Sequence, residues 1–103
     1  MSTATPESRA FAALGHDARL RVFRLLVQAG PQGLNVSDIA AHLGLAPSTL
    51  AHHLSALVAA GLVAQGRQGR EVLNRAMPGR AEALAAFLTH ACCAGVAPRE
   101  DAA

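Results

Sequence analysis

Two stretches of helical apolar spacing are joined by a single glycine, and the spacing changes immediately behind them. Val36, Ile39, Ala40 and Leu43 fall at i, i+3, i+4 and i+7, which marks one apolar face of a short helix over residues 35–43. Asn35 or Ser37 can cap it, and Gly44 stops it. Leu45 and Ala46 turn the chain, and Pro47 stands where the first residue of another helix belongs. In that helix Leu50, Leu54, Leu57 and Val58 point inward, up to a stop at Gly61. Beyond Gly61 the pattern becomes extended. Residues 62–65 and 71–74 read as two short strands, and the Gly-bounded segment 66–70 reads as the tip of a hairpin. Helix, tight turn, helix and hairpin in that order predict a winged helix-turn-helix.

The flanks supply the remaining core. Residues 7–14 predict a short helix carrying Phe11 and Leu14, with Gly15 as its stop. The next helix starts at His16 or Asp17, with Leu20, Phe23 and Val27 on one face and Val22 and Leu26 beside it. Being apolar around most of its girth, it should be the central helix. A last helix is expected over residues 80–94, with Leu84, Phe87, Leu88 and Ala91 on one stripe and with Gly95 and Pro98 ending it. The predicted fold is therefore mainly α with a small β-hairpin. It is one domain across residues 1–103, with an ordered core at about 7–95 and flexible ends.

Composition narrows the class. Ala and Leu dominate, Trp and Tyr are absent, and charged residues make up 16% of the 103. Strand formers are too few for an all-β sandwich, and charge is too low for a disordered chain. Arg, Gln, Gly or His interrupts every apolar stretch, so no membrane span is expected. The polar N-terminus does not read as a signal peptide, which places the chain in the cytoplasm. The formal net charge of +2 permits nucleic-acid binding without demanding it. A chain this small buries too little surface to be comfortable alone, and a second copy would relieve that shortage.

With the leucines anchoring the helix that begins at Pro47, its other face presents Ser48, Thr49, His52 and Ser55. Small hydroxyls and an imidazole can reach base edges or phosphates, and the free amides near Pro47 face phosphate favourably. His53 borders the leucine stripe and is expected to pack. Arg67, Gln68 and Arg70 lie at the hairpin tip, where two cations suit phosphate or minor-groove contact. The bland reading of that tip is a solvated turn.

Residues 13–26 (ALGHDARLRVFRLL), 38–54 (DIAAHLGLAPSTLAHHL) and 57–63 (LVAAGLV) together resemble the ArsR/SmtB family of metal- and metalloid-responsive repressors. The resemblance covers roughly residues 9–94. It implies a homodimer built through the first and last helices, sitting on double-stranded operator DNA and leaving when an inducer binds. Two known inducer sites of the family have no counterpart here. Asn35 and Ser37 occupy the places of one Cys pair, and His90 stands alone where a zinc site on the last helix would need more ligands.

What remains is Cys92–Cys93, which resembles the vicinal pair of an arsenic-responsive branch. Several members of that branch carry a third Cys that this chain lacks. Trivalent arsenic or antimony selects thiolates. Two sulfurs suit a methylated or aryl arsenical with two open positions, and arsenite with an outside third ligand is the other arsenical option. No obligatory cofactor is implied. On a continuous helix, Cys92 would flank the Leu88 side and Cys93 the opposite face, so sharing one ion would require the last turn to unwind. A thiol-based redox or reactive-sulfur sensor is the main competing reading, and a protein-interaction module without DNA is a further one. An enzyme using the Cys pair, a small reductase, is a poor reading because no base, electrophile or cofactor motif accompanies the thiols, and the chain is read as a non-enzyme.

Overall fold

In the computed structural model, which describes residues 4–98, five helices surround a two-stranded hairpin. The expectation of flexible ends at 1–3 and 99–103 lies outside the described residues. Helix α1 spans Pro6–Leu14, with Thr5 Oγ1 accepting from the Ser8 amide at 3.1 Å. Helix α2 spans Asp17–Ala29, and His16 Nδ1 caps it by accepting from the Ala18 amide at 3.2 Å. After a 3₁₀ turn at Gly30–Gln32 come α3 at Val36–Leu43 and α4 at Pro47–Ala59. Strands β1 at Val63–Gln68 and β2 at Glu71–Ala76 form an antiparallel hairpin, and α5 runs over Arg80–Thr89. No helix among the described residues is long and apolar enough to cross a membrane.

Helix α2 is central, packing against α1, α3, α4 and β2. The core is made of Val22 and Leu26 from α2, Ile39 from α3, Leu50, Leu54 and Leu57 from α4, and Leu62, all essentially free of solvent. Each such side chain contributes about 1.5–3 kcal/mol of burial. The inward face of α2 is thus Val22, Phe23 and Leu26. Leu20 and Val27 of the expected stripe are 41% and 44% exposed, and Val58, expected inside, is 38% exposed.

The hairpin is longer than its apolar residues indicated. The ladder runs from Val63↔Ala76 to Gln68↔Glu71, which leaves a two-residue turn in place of the expected five-residue tip. Gly69 takes φ +65° at the first turn position, the glycine-first pattern that suits the twist of paired strands. Polar residues complete the ladder because backbone pairing does not require an apolar side chain.

The hairpin is tied to the helices by Leu34 and Asn74, whose backbones exchange hydrogen bonds of 2.9 and 2.8 Å. Asn74 is fully buried; its Nδ2 donates to Leu34 O at 3.1 Å and its Oδ1 accepts from Gln65 Nε2 at 2.8 Å. Gly33 must approach this bridge closely. It sits at φ +71°, and a Cβ there would meet Asn74 O at 2.6 Å.

Candidate nucleic-acid interface and thiol site

Helix α4 is set by its own first turn. Ala46 is extended at φ −66°, ψ 139°, and Pro47 enters the helix where its missing N–H costs nothing. Ala46 offers no capping side chain, so the first-turn amides of Ser48 and Thr49 have no intrahelical acceptor. Gly44 turns the chain in the left-handed region at φ 67°, its amide donating to Ala40 O at 2.8 Å. The Arg21 guanidinium donates to Leu43 O at 3.2 Å and ties α2 to that turn. Pro47, Ser48, Thr49, His52 and Ser55 are exposed on one side, whereas Leu50, His53, Leu54 and Leu57 are buried on the other. The face therefore carries free amides, hydroxyls and one imidazole, with no apolar bulk to obstruct a duplex groove.

His53 packs into the α2–α4 contact. Arg19 Nε donates to its Nδ1 at 3.3 Å, which leaves the ring proton on Nε2. The His16 and His52 rings stand 4.8 and 6.0 Å away, centroid to centroid. Burial first, then the positive charges of His16, Arg19 and His52, hold His53 below its usual 6.5. A neutral His53 is thus part of how the helix is docked.

The wing places Arg67, Gln68 and Arg70 together around the two-residue turn, all exposed. Its neighbour Glu71 is fixed: Asn35 Nδ2 donates to Glu71 Oε1 at 2.8 Å while Asn35 Oδ1 caps α3 by accepting from Asp38 N at 2.8 Å. One asparagine therefore couples the wing to the helix-turn-helix. Sequence reasoning gave Asn35 only its capping role. The buried Asn74, a lone amide on an otherwise strand-like run, was the available signal that the hairpin is pinned from inside.

The thiol region departs from expectation. Helix α5 ends at Thr89, not at residue 94, and Thr89 Oγ1 donates back to Ala85 O at 3.0 Å. His90 is extended at φ −56°, ψ 131°, and Ala91 and Cys93 take left-handed φ of 58° and 64°. Such φ values are strained for residues with a Cβ. The expected divergence of the two side chains on a continuous helix does not arise. The sulfurs of Cys92 and Cys93 stand 3.2 Å apart, both exposed and free. With metal–sulfur bonds of about 2.3 Å, that separation subtends about 88° at a shared centre, narrower than a tetrahedron and close to a trivalent pyramid. Among the described residues no group of three His, Cys, Asp or Glu could hold an ion, so within one chain the pair offers two donors.

Phe87 and Leu88 of α5 are 54% and 68% exposed, and the Phe87 ring lies 6.5 Å from that of Phe11 on α1. The first and last helices thus share an uncovered apolar face. Leu84, from the expected stripe, is buried, and Ala91 lies beyond the helix.

The family described as a helix-turn-helix domain matches residues 14–66. No curated protein matches the chain. Among solved structures, an ArsR-like transcriptional regulator from Rhodococcus sp. RHA1 is 31% identical over 81% of this chain and 76% of that one, with a TM-score of 0.70. A "possible transcriptional regulator for arsenical resistance" is 30% identical over 75% of this chain and 77% of that one, with a TM-score of 0.64. A homodimeric winged helix-turn-helix DNA-binding domain from Mycobacterium bovis is 26% identical over 87% of this chain and 95% of that one, with a TM-score of 0.69.

Proposed function

Since the chain belongs to the ArsR family of winged helix-turn-helix transcriptional regulators, we propose that it represses transcription as a homodimer on operator DNA and is released when a trivalent arsenical closes on Cys92 and Cys93. Ser48, Thr49, His52 and Ser55 of α4 enter the major groove, with Pro47 at the helix start, and Arg67, Gln68 and Arg70 of the wing contact the backbone or minor groove. The uncovered α1–α5 face, with Phe11, Phe87 and Leu88, packs against its copy.

One observation carries the inducer assignment: two exposed sulfurs at 3.2 Å, already outside the helix. A dihydroxy-organoarsine has two leaving groups and one fixed carbon. Two S–H bonds and two As–O bonds break, two As–S bonds form, and two waters leave, with no change of oxidation state. Soft sulfur donors and the narrow bite favour this guest over a tetrahedral ion. Capture closes a ring just beyond Thr89, in a strained loop that follows the dimer-forming residue Leu88. A coupling of about 1–3 kcal/mol between that ring and the dimer angle suffices for release.

Fluorescence anisotropy on promoter DNA tests this, with methylarsenite, phenylarsenite, arsenite, antimonite, zinc, cadmium and peroxide as titrants. Release of the parent by arsenicals, lost in Cys92→Ser and Cys93→Ser, is the expected result. Arsenical release that persists in both variants refutes the site. A thiol-oxidation sensor is the second reading, favoured by the same short separation of exposed thiols. Release by peroxide with indifference to arsenicals would select it.

A further inference from the structure

We propose that Asn35 is a positioning residue for DNA binding, a latch that fixes the angle at which the wing presents Arg67 and Arg70 to the duplex. The inference rests on the DNA reading above and adds to it what holds the wing in place. The outer half of the hairpin has little core support: Arg67, Gln68, Gly69, Arg70, Glu71 and Val72 are all exposed. A two-stranded ribbon is marginal on its own and twists readily. Its first tie is the backbone exchange between Leu34 and Asn74 near the base. A single tie leaves the ribbon free to pivot. The second tie is the bond from Asn35 Nδ2 to Glu71 Oε1 at 2.8 Å, three residues nearer the tip, which is about 10 Å further along the strand. Among the described residues no other hydrogen bond joins residues 66–72 to a helix. Two points along β2 define a direction, and both partners, Leu34 and Asn35, lie at the entrance to α3.

The residue types agree with this role. Capping α3 needs only an oxygen, and Asp or Ser supplies one as well as Asn does. Only a side-chain amide can cap with its oxygen and donate to a carboxylate with its nitrogen. Asn35 does both: its Oδ1 is held by the Asp38 amide at 2.8 Å, which aims Nδ2 at Glu71. A hydrogen bond to a carboxylate is stronger than one between neutral groups. Glu71 is also an unexpected residue beside a phosphate-contacting turn, because a carboxylate next to Arg70 repels DNA. Its bond to Asn35 draws that charge towards the positive end of α3 and gives it a mechanical use.

The test is a double-mutant cycle on the full chain, read by anisotropy on promoter DNA, with circular dichroism to confirm the fold. Asn35→Asp keeps the cap of α3 but sets carboxylate against carboxylate, and affinity should fall at least roughly tenfold, the worth of one charge-assisted hydrogen bond. Glu71→Gln keeps the acceptor and removes a negative charge, so affinity should equal or modestly exceed the parent's. Combining the two exchanges donor and acceptor at the parent's net charge, and affinity should return to within about threefold of the parent. Adding Arg67→Ala and Arg70→Ala should lower the salt slope of the parent and barely change that of Asn35→Asp. Without DNA, the heteronuclear NOE at the Gly69 and Arg70 amides should drop in Asn35→Asp and recover in the combined variant. If charge alone acts, the loss in Asn35→Asp equals the gain in Glu71→Gln; that result, or tip amides indifferent to all three variants, overturns the latch while leaving DNA binding intact. A parent that ignores promoter DNA defeats the DNA reading itself, and this role of Asn35 with it.

Discussion

Replacing Arg67 and Arg70 by Ala isolates the electrostatic share of the wing. Both side chains are exposed at the hairpin tip, and the ladder from Val63↔Ala76 to Gln68↔Glu71 and the turn glycine Gly69 need neither. The fold should persist while the protomer's formal charge falls from +2 to zero. Each arginine that neutralises one phosphate contributes about 0.9 to the slope of log affinity against log salt. Two per protomer give about 1.8, and a dimer on two half-sites about 3.6. Between about 50 and 200 mM salt the parent should therefore lose roughly a hundredfold more affinity than the variant. Anisotropy titrations on promoter DNA across that range measure the slope, and circular dichroism confirms the fold. Arg9→Gln with Arg80→Gln is the matched control, removing the same charge beside the C-terminal end of α4, away from the helix start proposed to face DNA. Equal slopes for parent and wing variant, or an equal fall in the control, would refute the assignment of Arg67 and Arg70 to phosphate contact.

Other outcomes follow from the same geometry. Because burial and neighbouring charge lower the His53 pKa, its stabilising neutral state is fully present above 6.5 and is lost as pH falls below that value towards the folded pKa. Urea midpoints should thus drop below pH 6.5, with a slope from this group of at most about 1.4 kcal/mol per pH unit, and His53→Gln should flatten that arm. Gly33→Ala should cost more than Gly44→Ala by chemical denaturation. Both sit at positive φ, where a Cβ costs about 1–2 kcal/mol, but only at Gly33 does it also strike a carbonyl, at 2.6 Å. Asn74→Ala should destabilise by about 1–3 kcal/mol through its broken buried hydrogen bonds. With Leu88 on the proposed dimer face, Leu88→Glu should shift sedimentation from dimer to monomer while helix content stays unchanged, since Leu88 is 68% exposed in the single chain.

The helix-turn-helix was legible because its signals are local and agree with one another. Gly44 and Pro47 fix the turn, and Leu50, Leu54 and Leu57 fix which face of α4 remains outside. Where a helix is apolar on two sides, spacing alone does not decide which side packs. Leu20 and Phe23 read as one stripe on α2, yet only Phe23 is covered, because α1, α3 and α4 approach the Val22–Leu26 side. The hairpin length escaped for a different reason: Gly66, Gln68, Arg75 and Ala76 are held by backbone pairing that side-chain polarity does not report. The Asn35–Glu71 and Asn74–Leu34 links join residues 36 and 40 positions apart, beyond the reach of any local pattern.

The end of α5 shows how a missing partner can shape a site. Ala91 and Ala94 favour helix, and Gly95 is the first strong stop, so the sequence reads on to residue 94. Leu84 is the last buried side chain, however, and every described residue after it is exposed. A short helix without packing is marginal in water, and among the described residues no core contact covers a further turn beyond Thr89. The lack of core contact that uncovers Phe87 and Leu88 is therefore the same lack that frees residues 90–93 to bring two sulfurs to 3.2 Å. A continuous helix would have kept those sulfurs on diverging faces. In the proposed dimer, a copy that covers Leu88 would act on the segment that sets this separation, which would link dimer packing to thiol geometry through the last turn of one helix.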